Sequence, residues 1–219
     1  MTILIDSASP DDLAAAADLG FVGGFTTNPI LMARQTAEPL RHFERLLTVF
    51  ATGPAFYQPS GDSAATLCAE ARSAAALAPE RVVIKAPATA SGIRAAGDLV
   101  GDGVRCALTA VYSPAQALLA HQVGCEWAIP YVDRAARQGV GGCVVVDAMA
   151  AILARLESST RILAASLKSP QQIVDAVLSG ADDITAALDV LRSLPTHPLS
   201  EAAVADFDAA ARQPAAQRP

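Results

Sequence analysis

Eight short runs of strand type recur along the 219-residue chain and constrain its fold more than any other feature. Between them lie segments rich in alanine and leucine with helical periodicity, at intervals of roughly twenty to thirty-five residues, which is typical of βαβ units in a parallel sheet. The predicted strands cover residues 2–6, 24–27, 55–58, 82–85, 106–109, 127–131, 162–166 and 183–185.

Eight alternating units in a chain of this length predict an α/β protein with one (β/α)₈ TIM-barrel domain over residues 1–219. The alternative is an open doubly wound sheet, which would have a glycine-rich turn after its first strand. The sequence Asp6-Ser7-Ala8-Ser9 has no such turn, so we favour the barrel. We also expect an extra C-terminal helix at about residues 200–211, and a tail at 213–219 that frays or packs on a neighbouring subunit.

Composition narrows the classes of partner. The formal net charge is −6 and lysines and arginines form no cluster, which argues against nucleic acid and anionic membranes as partners. No apolar stretch is long enough to span a membrane, and the N-terminus enters a strand without a signal-peptide pattern, so we expect a cytoplasmic protein. The four cysteines and three histidines are scattered without metal-ligand spacing, so we predict no metal site and expect the cysteines to be buried.

The run from Val82 to Ile84 is followed by Lys85 and interrupted by Pro87. This pattern predicts a strand buried on both faces that stops at Lys85, because proline cannot donate to a sheet. Burial disfavours an ammonium ion, and a neutral lysine can attack a carbonyl to form a Schiff base. A lysine at a strand end can also simply extend its stem to solvent, so the residues predicted around Lys85 must distinguish a catalytic amine from a solvent-exposed one.

Polar residues follow most of the predicted strands. Any one of them has a local explanation, such as a turn at Asn28 before Pro29. A barrel, however, brings the carboxyl ends of all strands to one face, where these side chains would surround one pocket. The polar residues at or just after the strand ends are Asp6, Thr27, Asn28, Gln58, Lys85, Thr109, Tyr131, Arg134, Ser166 and Lys168.

Around an amine nucleophile, some of these residues suit proton transfer. Tyr131, or a water held by Gln58, Thr109 and Tyr131, could move protons during dehydration and carbon–carbon cleavage. Asp6 could orient Lys85 and hold a substrate hydroxyl. We therefore predict these five residues as the catalytic set.

The other residues suit substrate binding. Thr27 and Asn28 could hold hydroxyl groups of a sugar, and an arginine such as Arg134 can bind phosphate in a bidentate manner. Ser166 and Lys168 follow the seventh strand, near the usual phosphate site of a barrel. The predicted ligand is a small sugar or sugar phosphate.

Five motifs carry a family resemblance: GFTTNP at 24–29, VIKAPAT at 83–89, TAVY at 109–112, PYVDR at 130–134 and LAAS at 163–166. In order and spacing they resemble the small transaldolase and fructose-6-phosphate aldolase family. The resemblance implies a class I aldolase without cofactor or metal, assembled as a homodecamer in which the C-terminal helix reaches a neighbouring subunit. It also implies that Lys85 forms the Schiff base and Arg134 binds phosphate. The active-site polar positions implied by the resemblance are Asp6, Asn28, Thr109 and Ser166.

Two positions indicate the branch of the family. Transaldolases typically have glutamate and phenylalanine where this chain has Gln58 and Tyr131. The resemblance is therefore to the aldolase branch, which reversibly joins dihydroxyacetone-type ketones to glyceraldehyde 3-phosphate or similar aldehydes. The alternatives are a transaldolase of the pentose phosphate pathway, which transfers the dihydroxyacetone unit, and a non-catalytic barrel that binds sugar phosphates.

Two departures from the family pattern bear on the site. Pro59, directly after Gln58, indicates either a displaced glutamine or a reshaped third loop, by which we mean the loop that follows the third strand. Asp133 places a carboxylate beside Arg134, where it could neutralise the guanidinium and loosen phosphate binding.

Overall fold

The computed structural model describes residues 1–212 and forms a closed barrel of eight parallel strands. β1 pairs with both β2 and β8, which closes the sheet. The strands are β1 (Ile3–Asp6), β2 (Val22–Thr26), β3 (Ala55–Tyr57), β4 (Val82–Pro87), β5 (Cys106–Val111), β6 (Trp127–Pro130), β7 (Arg161–Leu167) and β8 (Asp183–Ala186). The predicted TIM barrel is confirmed.

Eleven helices surround the strands in the described part of the chain. They are α1 (Pro10–Ala17), α2 (Pro29–Ala33), α3 (Pro39–Val49), α4 (Ala64–Ala75), α5 (Ala90–Gly101), α6 (Ala115–Gln122), α7 (Val132–Arg137), α8 (Gly142–Arg155), α9 (Pro170–Leu178), α10 (Leu188–Ser193) and α11 (Pro198–Arg212). At α1 and α9 the residue before the proline is a serine whose hydroxyl accepts a backbone N–H, which fixes the start of the helix.

Each predicted strand overlaps an observed one, but the predicted end of β4 was wrong. The strand continues beyond Lys85 to Pro87, which pairs with Thr109 of β5. Proline costs little at the last strand position because the following residue restores the ladder, as Ala88 N donates to Thr109 O at 2.8 Å. Lys85 therefore lies within the strand and not at its end.

Two hydrophobic layers make up the core. The layer between the strands and the helices includes Phe25, Phe43 and many alanines, which allow close helix–sheet packing. The smaller layer fills the barrel interior, where the rings of Phe56 and Trp127 meet edge to face with centroids 5.2 Å apart. The interior is a packed core, as expected for an eight-stranded barrel.

Buried Asp183 closes the amino-terminal end of the barrel. Its carboxylate accepts hydrogen bonds from Thr2 N at 2.6 Å, Trp127 Nε1 at 2.9 Å and Arg161 Nη2 at 2.7 Å. These partners belong to the starts of neighbouring strands, so one ion ties the bottom of the barrel together and its burial is compensated.

The predicted C-terminal helix is present as α11, and it has no buried residue. Its apolar side chains Leu199, Val204 and Phe207 are 74%, 57% and 70% exposed. The predicted tail at 213–219 lies outside the described residues. Within residues 1–212, no helix is both long and apolar enough to cross a membrane.

Candidate active site

Lys85 lies inside the barrel with only 3% of its surface exposed. Its Nζ donates a hydrogen bond to the main-chain oxygen of Thr27 at 2.8 Å. The lysine borders a cavity of about 290 Å³, which we call the catalytic cavity. The side chain therefore does not extend to bulk solvent, and its amine is held by a neutral acceptor beside the open space.

Most of the predicted site residues line the catalytic cavity together. The lining residues predicted from the sequence are Asp6, Asn28, Gln58, Lys85, Tyr131, Arg134, Ser166 and Lys168. Five further lining residues were not predicted: Pro29, Ile30, Ala110, Ala165 and Thr185. The strand-end pattern thus converges on one cavity at the carboxyl end of the barrel.

The remaining two predicted residues, Thr27 and Thr109, lie just behind the cavity wall and are fully buried. The hydroxyl of Thr27 donates to Phe56 O at 2.9 Å, so its main-chain oxygen, and not its side chain, contacts Lys85. The hydroxyl of Thr109 lies 3.1 Å from the hydroxyl of Tyr131, which does line the cavity.

Asp6 is held by a chain of hydroxyl groups that sequence reasoning missed. Thr26 Oγ1 donates to Asp6 Oδ1 at 2.7 Å and lies 2.8 Å from Thr185 Oγ1. Because the Thr26 proton points to the carboxylate, the Thr185 hydroxyl donates to Thr26. Thr185 sits at the carboxyl end of β8, so the strand-end criterion would have found it had it been applied to the eighth strand.

Asn28 has a structural task as well as a place in the cavity. Its Oδ1 accepts hydrogen bonds from the main-chain N–H groups of Ile30 and Leu31, both at 3.0 Å, and so caps α2. Capping uses the amide oxygen. The amide nitrogen is the donor that Asn28 can offer to a substrate oxygen.

Tyr131 is surrounded by polar and cationic groups. Besides its contact with Thr109, its ring lies 5.0 Å from the guanidinium carbon of Arg134, a distance typical of cation–π contacts. The ring of Tyr112 meets it edge to face at 5.9 Å. These contacts fix the direction of the Tyr131 hydroxyl within the cavity.

Asp133 does not pair with Arg134. Its carboxylate forms an ion pair with Arg137 at 2.7 Å, one helical turn further along, and accepts from Gln172 Nε2 at 3.3 Å. Within residues 1–212 no carboxylate lies within ion-pair distance of Arg134. The guanidinium of Arg134 therefore keeps its charge available at the cavity.

Two lining residues have left-handed backbone conformations that non-glycine residues rarely adopt. Ala110 has φ of 58° and Ser166 has φ of 60°. Each lies where the strand register shifts, between Thr109 and Val111 in β5 and between Ala164 and Leu167 in β7. Such bulges redirect side chains near active sites, at a cost that the surrounding sheet must offset.

Gln58, at the start of the third loop, lines the catalytic cavity. The residues around it are anchored to Glu70 on α4, which accepts from the Tyr57 hydroxyl and, at 3.0 Å, from Ser60 N. Burial, followed by the hydrogen bond to Glu70, raises the pKa of Tyr57, so the phenol stays protonated and remains the donor.

Groups suited to hold a metal do not gather in the described part of the chain, where no three His, Cys, Asp or Glu side chains come together. Cys68, Cys106 and Cys125 are buried free thiols, and Cys143 is half-buried. Burial raises the pKa of Cys125 to about 12, which leaves its thiol protonated and unreactive at neutral pH.

Comparison with known proteins decides the family. A sequence profile described as Transaldolase/Fructose-6-phosphate aldolase matches residues 3–218. The chain belongs to this family. The assignment confirms the resemblance inferred from the five motifs, and the barrel agrees with it.

Relatives within the transaldolase/fructose-6-phosphate aldolase family are similar along nearly their whole length. A protein of Prosthecochloris aestuarii named "Probable transaldolase" is 33% identical over 215 residues, which cover 94% of this chain and 96% of the relative. Proteins with the same name from Roseiflexus castenholzii and Desulfotalea psychrophila are 33% and 32% identical, with 94% of this chain covered in each case and 95% and 96% of the relative.

Proposed function

We propose that the protein is a Schiff-base aldolase that cleaves and forms the bond between a dihydroxyacetone unit and an aldehyde such as glyceraldehyde 3-phosphate. The observation that carries the proposal is the buried amine of Lys85, held by the Thr27 oxygen beside a cavity lined with polar side chains. A lysine held in this way is suited to covalent catalysis on a carbonyl.

The proposed reaction begins with attack of Lys85 Nζ on C2 of fructose 6-phosphate. The C2 oxygen leaves as water and an iminium forms. Loss of the C4 hydroxyl proton then breaks the C3–C4 bond, glyceraldehyde 3-phosphate departs, and the bonding electrons remain in an enamine on Lys85. The iminium accepts these electrons, so the proposal requires neither a metal nor a cofactor.

The enamine has two fates, and the site residues bear on which one is followed. Protonation at C3 followed by hydrolysis releases dihydroxyacetone. The Tyr131 hydroxyl, 3.1 Å from Thr109 Oγ1, is a donor able to supply this proton, and Gln58 lines the same cavity and could hold the attacking water. We therefore propose that the protein releases free ketone.

Transfer is the second candidate function, and the relatives favour it. All three proteins described above carry the name "Probable transaldolase". In a transaldolase, C3 of the enamine attacks the carbonyl carbon of a second aldehyde, and no free ketone leaves.

Substrate contacts are proposed for the rest of the cavity. Asp6, held by Thr26, and the amide nitrogen of Asn28 would bind hydroxyl groups of the dihydroxyacetone unit. Arg134 would bind the phosphate, with Ser166 and Lys168 beside it. A cavity of about 290 Å³ lined largely by polar side chains suits a small sugar phosphate.

The deciding experiment measures glyceraldehyde 3-phosphate released from fructose 6-phosphate in the presence of a chelator, with and without erythrose 4-phosphate. Release without the acceptor supports the aldolase, and release only with it supports the transaldolase. No release in either case favours a barrel that binds sugar phosphates without turnover.

Borohydride trapping tests the Schiff base itself. Reduction in the presence of dihydroxyacetone should add the ketone to Lys85, as read by peptide mass, and Lys85→Met should abolish the adduct. An adduct that survives the substitution would move the nucleophile to another residue.

We propose further that α11 packs against a second copy of the chain. The helix buries none of its own residues on this subunit, and it exposes Leu199, Val204 and Phe207 to solvent. Exposed apolar side chains concentrated on one helix are typical of interaction surfaces.

A further inference from the structure

We propose that Glu70, which lies on α4 outside the barrel wall, is a positioning residue that holds Gln58 in the catalytic cavity. The inference rests on the proposed function, because it assigns Gln58 a part in the reaction. Glu70 does not line the catalytic cavity, so its effect must pass through the third loop.

Glu70 uses both carboxylate oxygens on that loop. Oε1 accepts from the hydroxyl of Tyr57, the residue before Gln58, and Oε2 accepts from Ser60 N, two residues after it. Gln58 and Pro59 therefore lie between two residues, Tyr57 and Ser60, that both donate hydrogen bonds to the Glu70 carboxylate. Hydrogen bonds to a charged acceptor are among the stronger ones in proteins, so this arrangement fixes the side chain of Tyr57 before Gln58 and the main chain of Ser60 after it.

The Tyr57 anchor is rigid. Its side chain is only 1% exposed, and its ring packs against Phe43 with centroids 4.8 Å apart. A buried hydroxyl that loses its acceptor pays the full cost of desolvation, so Tyr57 holds Glu70 in place as much as Glu70 holds the loop.

Gln58 itself has little else to fix its position. Within residues 1–212, the hydrogen bonds that tie this stretch to other side chains start from Tyr57 Oη and Ser60 N, and not from Gln58. Behind Gln58 lies a second cavity of about 160 Å³, bordered also by Met32, Tyr57 and Ser60. With open space on two sides, the location of the Gln58 amide depends on the main chain that Glu70 anchors.

The experiment compares Glu70→Ala, Gln58→Ala and the double variant by kcat and KM for fructose 6-phosphate cleavage with an acceptor present. Free ketone is measured in the same reactions. We expect Glu70→Ala to lower kcat about tenfold or more with little change in KM, since small misplacements of reacting groups cost this much. In the Gln58→Ala background, Glu70→Ala should cost less than about twofold, because the group it positions is already absent.

Two further variants guard against a general loss of structure. Glu70→Gln can accept from Ser60 N and donate to the Tyr57 oxygen, so it should keep most of the activity, whereas Tyr57→Phe removes one anchor and should give an intermediate loss. Arg72→Ala is the matched control: it removes an ion pair of the same helix with Asp102, at 2.7 Å, away from the loop, and should leave kcat unchanged.

Equal losses from Glu70→Ala in both backgrounds would overturn the inference, because they would mean that Glu70 acts on stability or on another residue. An unchanged kcat in Glu70→Ala would overturn it as well. Failure of the proposed function is seen separately: wild-type protein that forms no borohydride adduct on Lys85 overturns both proposals, whereas an adduct with additive losses overturns this one alone.

Discussion

Tyr131 makes two contacts that bear on different steps of the proposed reaction. Its hydroxyl lies 3.1 Å from Thr109 Oγ1, while its ring carries the guanidinium of Arg134 at 5.0 Å. In our proposal the hydroxyl supplies the proton that leads to release of the ketone, and the guanidinium binds the phosphate. One side chain thus links the two ends of the substrate.

Removing the Tyr131 hydroxyl separates release from transfer. In Tyr131→Phe we expect free dihydroxyacetone production to fall about a hundredfold, the scale of general acid catalysis, with transfer to erythrose 4-phosphate nearly unchanged. Both rates can be followed in one coupled assay. Tyr112→Phe, whose ring packs on Tyr131 but does not line the cavity, should affect neither rate. Equal losses in release and transfer would remove the proton role.

Removing the guanidinium of Arg134 should act on phosphate recognition. Arg134→Ala is expected to raise KM for fructose 6-phosphate about tenfold or more, since a charge-assisted hydrogen bond is lost, and to leave KM for unphosphorylated ketoses within about twofold. Steady-state kinetics on paired substrates measure this, with Arg72→Ala as the control. A variant that loses affinity equally for both substrates would place the phosphate elsewhere, with Lys168 the next residue to test.

Among the elements, the connection from α3 to β3 depends on one side chain. Arg81 donates to the main-chain oxygens of Gly53 at 3.0 Å, Leu47 at 3.2 Å and Thr52 at 3.3 Å, and also to that of Phe50. Burial lowers the pKa of Arg81, but these acceptors satisfy the guanidinium. The arginine thereby holds the carbonyl end of α3 and the entry to the strand that carries the third loop.

Arg81→Ala should therefore destabilise the fold by about 1–3 kcal/mol, as expected when the part-buried main-chain oxygens of Leu47 and Phe50 lose a charged donor. Chemical denaturation monitored by circular dichroism gives the value. Arg81→Lys should recover less than half of it, because an ammonium cannot reach carbonyls spread around a planar fork. Arg41→Ala, which breaks an exposed pair with Glu38, should change the free energy of unfolding by less than about 1 kcal/mol. A similarly small effect at Arg81 would contradict the assignment.

The elements also mark how far the sequence could predict the fold. The eight strands were predictable because buried apolar runs and helical periodicity are local signals. The end of β4 was not, because the ladder past Pro87 is restored by Ala88 pairing with a distant strand. The short helices α2, α7 and α10 were not predicted for a different reason: five or six residues carry too little periodicity.

In the candidate site, too, some residues were predictable from the sequence and others were not. Eight lining residues were predictable because a barrel gathers strand ends at one face, which is a rule of topology. The placements of Thr26 behind Asp6 and of Glu70 behind Gln58 depend on side chains meeting across different elements. No local pattern in the sequence encodes such meetings.

At the scale of the whole molecule, the exposed helix α11 determines the expected assembly. Phe207→Asp and Val204→Asp place a charge where we propose that a second copy packs, and should lower the molar mass in solution measured by light scattering. Asp208→Asn, an exposed change on the same helix, should leave the mass unchanged. A wild-type chain that is already monomeric, or variants of unaltered mass, would overturn the proposed contact.

The carboxylate of Asp183, tied to Thr2, Trp127 and Arg161, leaves the floor of the barrel sealed beneath a packed interior. On the proposed chemistry, every substrate and product must therefore reach and leave Lys85 through the carboxyl end of the barrel. The first aldehyde has to leave the cavity before a second aldehyde can bind, so release and binding occur in a fixed order. For transfer to an acceptor, double-reciprocal plots of initial rate against donor at several acceptor concentrations should then be parallel lines, the kinetic pattern of an enzyme that releases its first product before it binds the second substrate.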